Sequence, residues 1–227
     1  MPENFSFRMT DEEYRVLEKI KNSIPVCYLA DHADFALGIV TGNNKKFLSA
    51  EKTEHSEMVL KGTDICKYHI NPVKQYLRFE PEQFQQVAPL EIYRAPEKLL
   101  YRFISNQLVV AYDDRQMLSL NSCNIVIPKI EGMQIKYILA ILNSSVSQFV
   151  YQKEFHSIKV LRAHMEHIPI PRVGKAIQNE IIAMTEPLIC GMGKEAAETC
   201  QKRLDCRIMD LFRLSAEEQW IIRHALH

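Results

Sequence analysis

Residues 124–149, NIVIPKIEGMQIKYILAILNSSVSQF, change their hydrophobic period partway along. Asn124 to Ile127 is a short β-branched run closed by Pro128, which is the composition of a strand and its stop. Beyond it Ile135, Ile138, Leu139, Leu142, Val146 and Phe149 recur on one helical face, so a helix is predicted over about 132–150. The chain before this junction reads as sheet, and the chain after it as helix.

From Pro25 to Pro128, runs such as Ala36–Val40 and Leu108–Tyr112 alternate with Gly, Asn, Asp and Pro punctuation, which predicts mostly antiparallel pairing. Gly38 to Leu48, GIVTGNNKKFL, has the Gly and Asn that a tight turn requires and predicts a hairpin with polar amides and two lysines at its tip. Asn71 to Pro89 is rich in glutamine (Gln75, Gln83, Gln85, Gln86) and lacks apolar periodicity, so a long surface loop is expected.

Helices flank this region. Thr10-Asp11-Glu12-Glu13 is a capping box before Tyr14, Leu17 and Ile20, giving a helix over about 11–22. After a basic loop, Ile168-Pro169-Ile170-Pro171 is forced into extended backbone. A helix through Ile177 and Leu188 is kinked or ended near Pro187 and closed by Gly191 and Gly193. Another is expected over about 195–212, and Ser215-Ala216-Glu217-Glu218 is a second capping box before a last helix. The expected class is α+β, with a β-rich lobe over 1–172 followed by a helical subdomain over 173–227.

The 227 residues are 47% hydrophobic and 25% charged, enough to bury a core. No apolar run approaches the ~20 residues that cross a bilayer, and Met1 to Thr10 lacks the order of a secretory signal, so a cytoplasmic protein with no membrane partner is expected. Six cysteines without a C-x-x-C pair read as reduced thiols. The formal net charge is zero, but its distribution is uneven. Residues 151–175 carry five bases and three histidines against two acids, whereas 1–34 carry seven acids against four bases. A neutral total thus permits a locally basic face, and phosphate contacts depend on such clustering.

Catalytic parts are scarce. Only seven glycines are present, with no G-x-G-x-x-G, no phosphate-cradling G-x-x-x-x-G-K-[ST] and no G-x-S-x-G. There is also no Asn or Asp beside Pro-Pro-aromatic to hold a flipped base. Asp113-Asp114 reads as a solvated turn rather than a metal site, and His164-x-x-His167 lacks a third ligand at metal-site spacing. No catalysis, metal or cofactor is therefore expected of this chain itself.

Four segments in order resemble the TaqI-like C-terminal specificity domain, the target recognition domain found after the methyltransferase core in many single-chain restriction-modification enzymes. Gly38 to Phe47 is similar to that family's Gly-x-x-Thr-Gly-x-Asn hairpin. Val59 to Tyr68, VLKGTDICKY, is similar to its Leu-x-Gly-Arg-Asp-Ile-x-x-Tyr, with Thr63 in place of the usual Arg. The third segment runs from Tyr93 to Asp113, including Pro96 to Arg102, and continues to Tyr137 to Ser144. The fourth joins Leu161-Arg162 and Ile168 to Pro171 with Leu204-Asp205 and Leu211 to Glu218. The family's Gly-rich stretch is replaced here by Phe155-His156-Ser157-Ile158.

The resemblance implies a bacterial, type II-like module that reads a short double-stranded DNA sequence. Methyl transfer and cleavage, with their S-adenosylmethionine and Mg, would belong to methyltransferase and nuclease domains in cis or in trans. Arg and Lys pair with guanine, and Asn and Gln with adenine, in the major groove. On this basis the tip residues Thr41, Asn43, Asn44 and Lys45 and the basic-loop residues Lys153, His156, Lys159 and Arg162 are expected to face the duplex. Lys98 and Arg102 are expected to clamp phosphates. The plain alternatives are a solvated turn for the tip and surface ion pairs with Glu97 or Glu91 for Lys98 and Arg102. A protein-interaction scaffold, or a hydrolase assembled from scattered Asp and His, remains as an alternative class.

Overall fold

The computed structural model describes residues 9–155 and 157–226. In chain order these form α1 (Asp11–Asn22), β1 (Val26–Cys27), β2 (Ala33–Ala36), α2 (Asn44–Phe47), β3 (Leu48–Ser49), β4 (Ser56–Leu60), β5 (Tyr76–Arg78), α3 (Leu90–Tyr93), β6 (Lys98–Arg102), β7 (Val110–Asp113), β8 (Leu118–Ser119) and β9 (Cys123–Pro128). There follow α4 (Ile135–Asn143), α5 (Ser145–Glu154), α6 (Arg162–Glu166), β10 (Ile170–Pro171), α7 (Lys175–Cys190), α8 (Lys194–Leu211) and α9 (Ala216–Ala225). The class is α+β.

One four-stranded sheet has the order β2-β9-β6-β7 and is antiparallel throughout. Its middle strands are buried on both faces, which is why 99–101 and 125–126 read as continuous rather than alternating apolar runs. Because successive side chains point to opposite faces, Leu99, Tyr101 and Val126 enter one core while Leu100, Cys123 and Ile125 enter another. The first core lies beneath α1, α4, α5, α7, α8 and α9. The second lies against the sheet β3-β5-β4-β8, where β4 and β8 run parallel. A short antiparallel pair, β1 with β10, uses the extended Ile170-Pro171 segment.

The helix expected over 132–150 is two helices. Ser144, at φ −68° and ψ 158°, leaves the helical region, and its Oγ accepts the Ser147 N–H at 3.2 Å as the cap of α5. The break is held from outside. Asn143 Oδ1 accepts the Val110 N–H at 3.1 Å and its Nδ2 donates to Val110 O at 2.8 Å, while Gln148 serves the N–H and C=O of Leu108 in the same way. Two buried amides thus satisfy backbone groups on the outer edge of β7, beside the single bridge that Tyr68 makes to Ala111. The seven residues Tyr137 to Asn143 of α4 are buried all round, so this helix is the centre of the first core.

Both predicted capping boxes form. In the second, Ser215 Oγ accepts the Glu218 N–H at 3.2 Å, and Glu218 Oε2 accepts the Ser215 N–H and the Lys19 ammonium, each at 2.6 Å. Replacing Ser215 with Ala is expected to cost about 1 kcal/mol in a urea titration, the usual worth of such a cap. Pro187 lies inside the last turn of α7, and Gly191, at φ +77°, closes it. Among the described residues no helix is long and apolar enough to cross a membrane.

Candidate nucleic-acid interface

The segment 38–48 is not a hairpin. Ile39 bridges Leu120 and Val40 bridges Gln86, then Gly42, at φ +74°, turns the chain into the single helical turn α2. Asn43 caps that turn by accepting the Lys46 N–H at 3.3 Å, so its side chain does local work that a hairpin tip would not ask of it. Thr41 is buried and donates to Asn44 Oδ1 at 2.6 Å, which corrects its expected exposure to a partner. Asn43, Asn44 and Lys45 are exposed.

The glutamine-rich stretch joins this tip. Lys46 donates to Gln83 Oε1 at 2.6 Å, and Gln85 lies 3.4 Å from the position a Cβ on Gly42 would take. Edge contacts of Phe84 with Phe47 and Phe79, at centroid distances of 5.2 and 5.8 Å, anchor both loops beneath. The tip is therefore a mixed surface of Asn43, Asn44, Gln83, Gln85, Lys45 and Lys46. Gln83 and Gln85 escaped a reading confined to one turn, although their density in the sequence was a signal.

Lys159 and Arg162 form a second group. Val160 N–H donates to Phe103 O at 2.8 Å and Ser105 N–H to Ile158 O at 2.9 Å, so 103–105 and 158–160 make a two-stranded ribbon. Lys159 is exposed on it, and Arg162 sits 5.2 Å from the Phe35 ring while pairing with Glu166 at 2.7 Å. Beside Arg162 opens a recess of about 200 Å³ lined by Phe35, Tyr101, Phe103, Asn124 and Arg162 among others. Burial pushes the Tyr101 hydroxyl up to about 12, which keeps it a neutral donor there. Ile104 and Ile158, 59% and 69% exposed, flank the cations and were not anticipated.

One of the remaining expectations, that for Lys98, is corrected. Lys98 is wholly buried: its ammonium pairs with Asp113 at 2.6 Å and donates to Tyr93 O at 2.6 Å, so it is not available to a phosphate. The physical reason is register, since Lys98 stands directly opposite Asp113 in the β6–β7 ladder. Asp113 is accordingly not a solvated turn residue. Arg102 is half-buried and donates to Gly62 O at 2.8 Å and Ile65 O at 2.6 Å, which pins the turn at 62–65. Lys153 pairs with Glu13 of α1 at 2.6 Å and stands over Phe149, which makes it a helix cross-link. His156 lies outside the described residues.

His164 stacks on Phe155 at 4.4 Å and accepts the Leu161 N–H at 3.2 Å, and burial lowers its pKa so that the ring stays neutral. His167 Nδ1 lies 2.6 Å from Ala163 O. Among the described residues no three His, Cys, Asp or Glu converge as metal ligands.

The profile of the TaqI-like C-terminal specificity domain matches residues 57–170, half of the sequence. The chain belongs to this family. It is a specificity domain, with the target-recognition role that defines such domains in restriction-modification systems. No curated protein matches the sequence significantly.

Among solved structures, the type IIL restriction-modification enzyme MmeI in complex with DNA superimposes with a TM-score of 0.55 at 10% identity, over 86% of this chain and 35% of that one. The type IIG restriction endonuclease BpuSI gives 0.50 at 11% identity, over 89% of this chain and 33% of that one. The HsdS subunit of Thermoanaerobacter tengcongensis gives 0.45 at 13% identity, over 95% and 50%. For the first two, at such identities, the likeness is one of fold. The chain spans between a third and a half of the length of these structures.

Proposed function

We propose that this specificity domain reads duplex DNA for a bacterial, cytoplasmic restriction-modification enzyme whose methyltransferase and nuclease activities reside elsewhere. S-adenosylmethionine and Mg would be held by those partner domains, in the same polypeptide or a separate one. The observation that carries this reading is family membership across 57–170, supported by two exposed groups of side chains suited to nucleic acid.

The tip offers the chemistry of base readout, since the exposed Gln85 amide carries the donor and acceptor that match adenine, the Nδ2 groups of Asn43 and Asn44 add donors, and Lys45 suits guanine or phosphate. The ribbon offers the chemistry of positioning, with Lys159 and Arg162 as phosphate partners and the apolar Ile104 and Ile158 beside Lys159. Apolar side chains so flanked are the kind that wedge against a base step when a duplex is deformed.

The test is fluorescence anisotropy on a random duplex at several salt concentrations. Wild type is expected to bind at ~50 mM salt and to weaken steeply as salt rises, because each neutralised phosphate contributes about −0.9 to the log–log slope. Lys159→Glu with Arg162→Glu should weaken binding roughly ten- to a hundredfold and flatten that slope by about 2. Lys45→Gln with Asn44→Ala should instead relax sequence preference in a selection from a random duplex library. Absence of binding at ~50 mM salt would sink the DNA reading and favour a protein-interaction scaffold.

A further inference from the structure

Where the recognition lobe meets the C-terminal helices, a cavity of about 500 Å³ is lined by Lys67, Gln107, Gln152, Lys202, Asp205 and Arg223 among others. Its walls come from the loop before Tyr68, from α5, and from α8 and α9. Three of these side chains are cationic and one is a carboxylate, and the cations lack anionic partners within 4 Å among the described residues. Lys67 Nζ, partly buried, donates to Asn143 O at 3.1 Å. An ammonium has three donors, so this bond leaves two directed elsewhere.

Arg223 reaches only neutral groups among the described residues: Cys206 Sγ at 3.3 Å, Met209 Sδ at 3.8 Å and Gln219 Oε1 at 3.2 Å. Lys202 is exposed on α8. Asp205, whose two oxygens accept the Ser145 N–H and Oγ–H, each at 2.9 Å, at the start of α5, offsets one of the three positive charges and leaves the other two in excess. By contrast Arg207 on α8 pairs with Glu180, and Glu218 on α9 pairs with Lys19. Burial lowers the pKa of Lys67 and raises that of Asp205, and the attraction between the two opposes both shifts.

We propose that this cavity is a binding site for a phosphate-bearing ligand, held by Lys67, Lys202 and Arg223 with Gln107 and Gln152 as neutral donors. A phosphate presents several acceptor oxygens in a compact group, which suits convergent ammonium and guanidinium donors. The volume exceeds a single phosphate and falls in the range of small-molecule sites. Bound there, the ligand bridges the recognition lobe to α8 and α9. The proposal rests on different residues from the tip and ribbon and stands independently of the DNA reading.

The test uses sodium pyrophosphate on the full chain at constant ionic strength, with NaCl as the balancing salt. Saturable binding below about 1 mM by calorimetry is expected, with the unfolding temperature raised by roughly 5 °C at a hundredfold excess over Kd. Lys202→Gln with Arg223→Gln, both on exposed helix faces, should weaken binding more than tenfold. Arg203→Gln, an exposed cation lining the α7–α8 groove instead, should leave it unchanged.

Lys67→Met should abolish binding, and the exposed double variant keeps the test decisive if that protein fails to fold. No saturation by about 10 mM, or equal binding by wild type and the double variant, overturns the proposal. Displacement of a labelled duplex by pyrophosphate identifies a DNA backbone phosphate as the source of the group. Binding without displacement identifies a free phosphorylated small molecule.

Discussion

Lys98→Met is expected to lower the unfolding free energy by about 3–5 kcal/mol in a denaturant titration, a large share of what a domain of this size possesses. The Lys98 and Asp113 side chains are both 0% exposed and face one another across β6 and β7, where the ammonium also donates to Tyr93 O. A methionine fills the volume but leaves a carboxylate in a dry interior with its cation gone. Asp113 keeps only the N–H groups of Arg115 and Met117, which hold the turn into β8.

Asp113→Asn should cost a similar amount, since it strands the lysine while keeping an acceptor for the turn. The double variant should recover part of the loss, with a coupling of about 0.5–3 kcal/mol. Full additivity of the two single losses would show that the pair is not a unit. Duplex binding by the folded fraction of Lys98→Met should be close to wild type, because the lysine holds β6 to β7 and faces no solvent.

Lys98 also shows where sequence reading stops. Following Pro96-Glu97, it has the look of an exposed basic residue, and only the ladder register places Asp113 against it. Local rules served well where the cause is local: both capping boxes, the extended Ile170-Pro171 segment and the closure of α7 by Gly191 all rest on neighbours a few residues away.

They failed where the partner is distant. The break at Ser144 depends on Asn143 and Gln148 serving backbone 33 and 40 residues upstream, and the lost hairpin depends on Val40 pairing with Gln86 rather than with residues just past the turn. Of the candidate interface, Asn43, Asn44, Lys45, Lys159 and Arg162 were legible as exposed polar residues. The arrival of Gln83 and Gln85 at the tip, and of Ile104 beside Lys159, required the tertiary fold.

Gly38→Ala should destabilise the protein by about 3 kcal/mol, which for a chain of this length is roughly 6–12 °C in the midpoint of thermal unfolding. A Cβ at this position would lie 2.1 Å from Leu120 O, 2.3 Å from Leu120 C and 2.8 Å from Cys123 O. All three are backbone atoms, so no side-chain rotation relieves the overlap and the 38–41 segment or the 120–123 turn must move. That segment is tied on both sides: Gly38 N–H donates to Asn124 Oδ1 at 3.2 Å, Ile39 N–H to Ser119 O at 2.7 Å, and Asn121 N–H to Ile39 O at 3.1 Å.

Gly132→Ala is the matched control. At φ +75° with nothing within 4 Å of the added carbon, it carries only the backbone strain of a left-handed alanine, about 1 kcal/mol. A Gly38 variant no less stable than the Gly132 one would show that the close approach is not fixed in solution. Since the tip at 42–46 hangs directly from this seam, the folded fraction of Gly38→Ala should also lose duplex sequence preference while Gly132→Ala keeps it. On the proposed reading, recognition by the tip would depend on a glycine that touches no ligand, because the backbone contact it permits sets where Asn43, Asn44 and Lys45 stand.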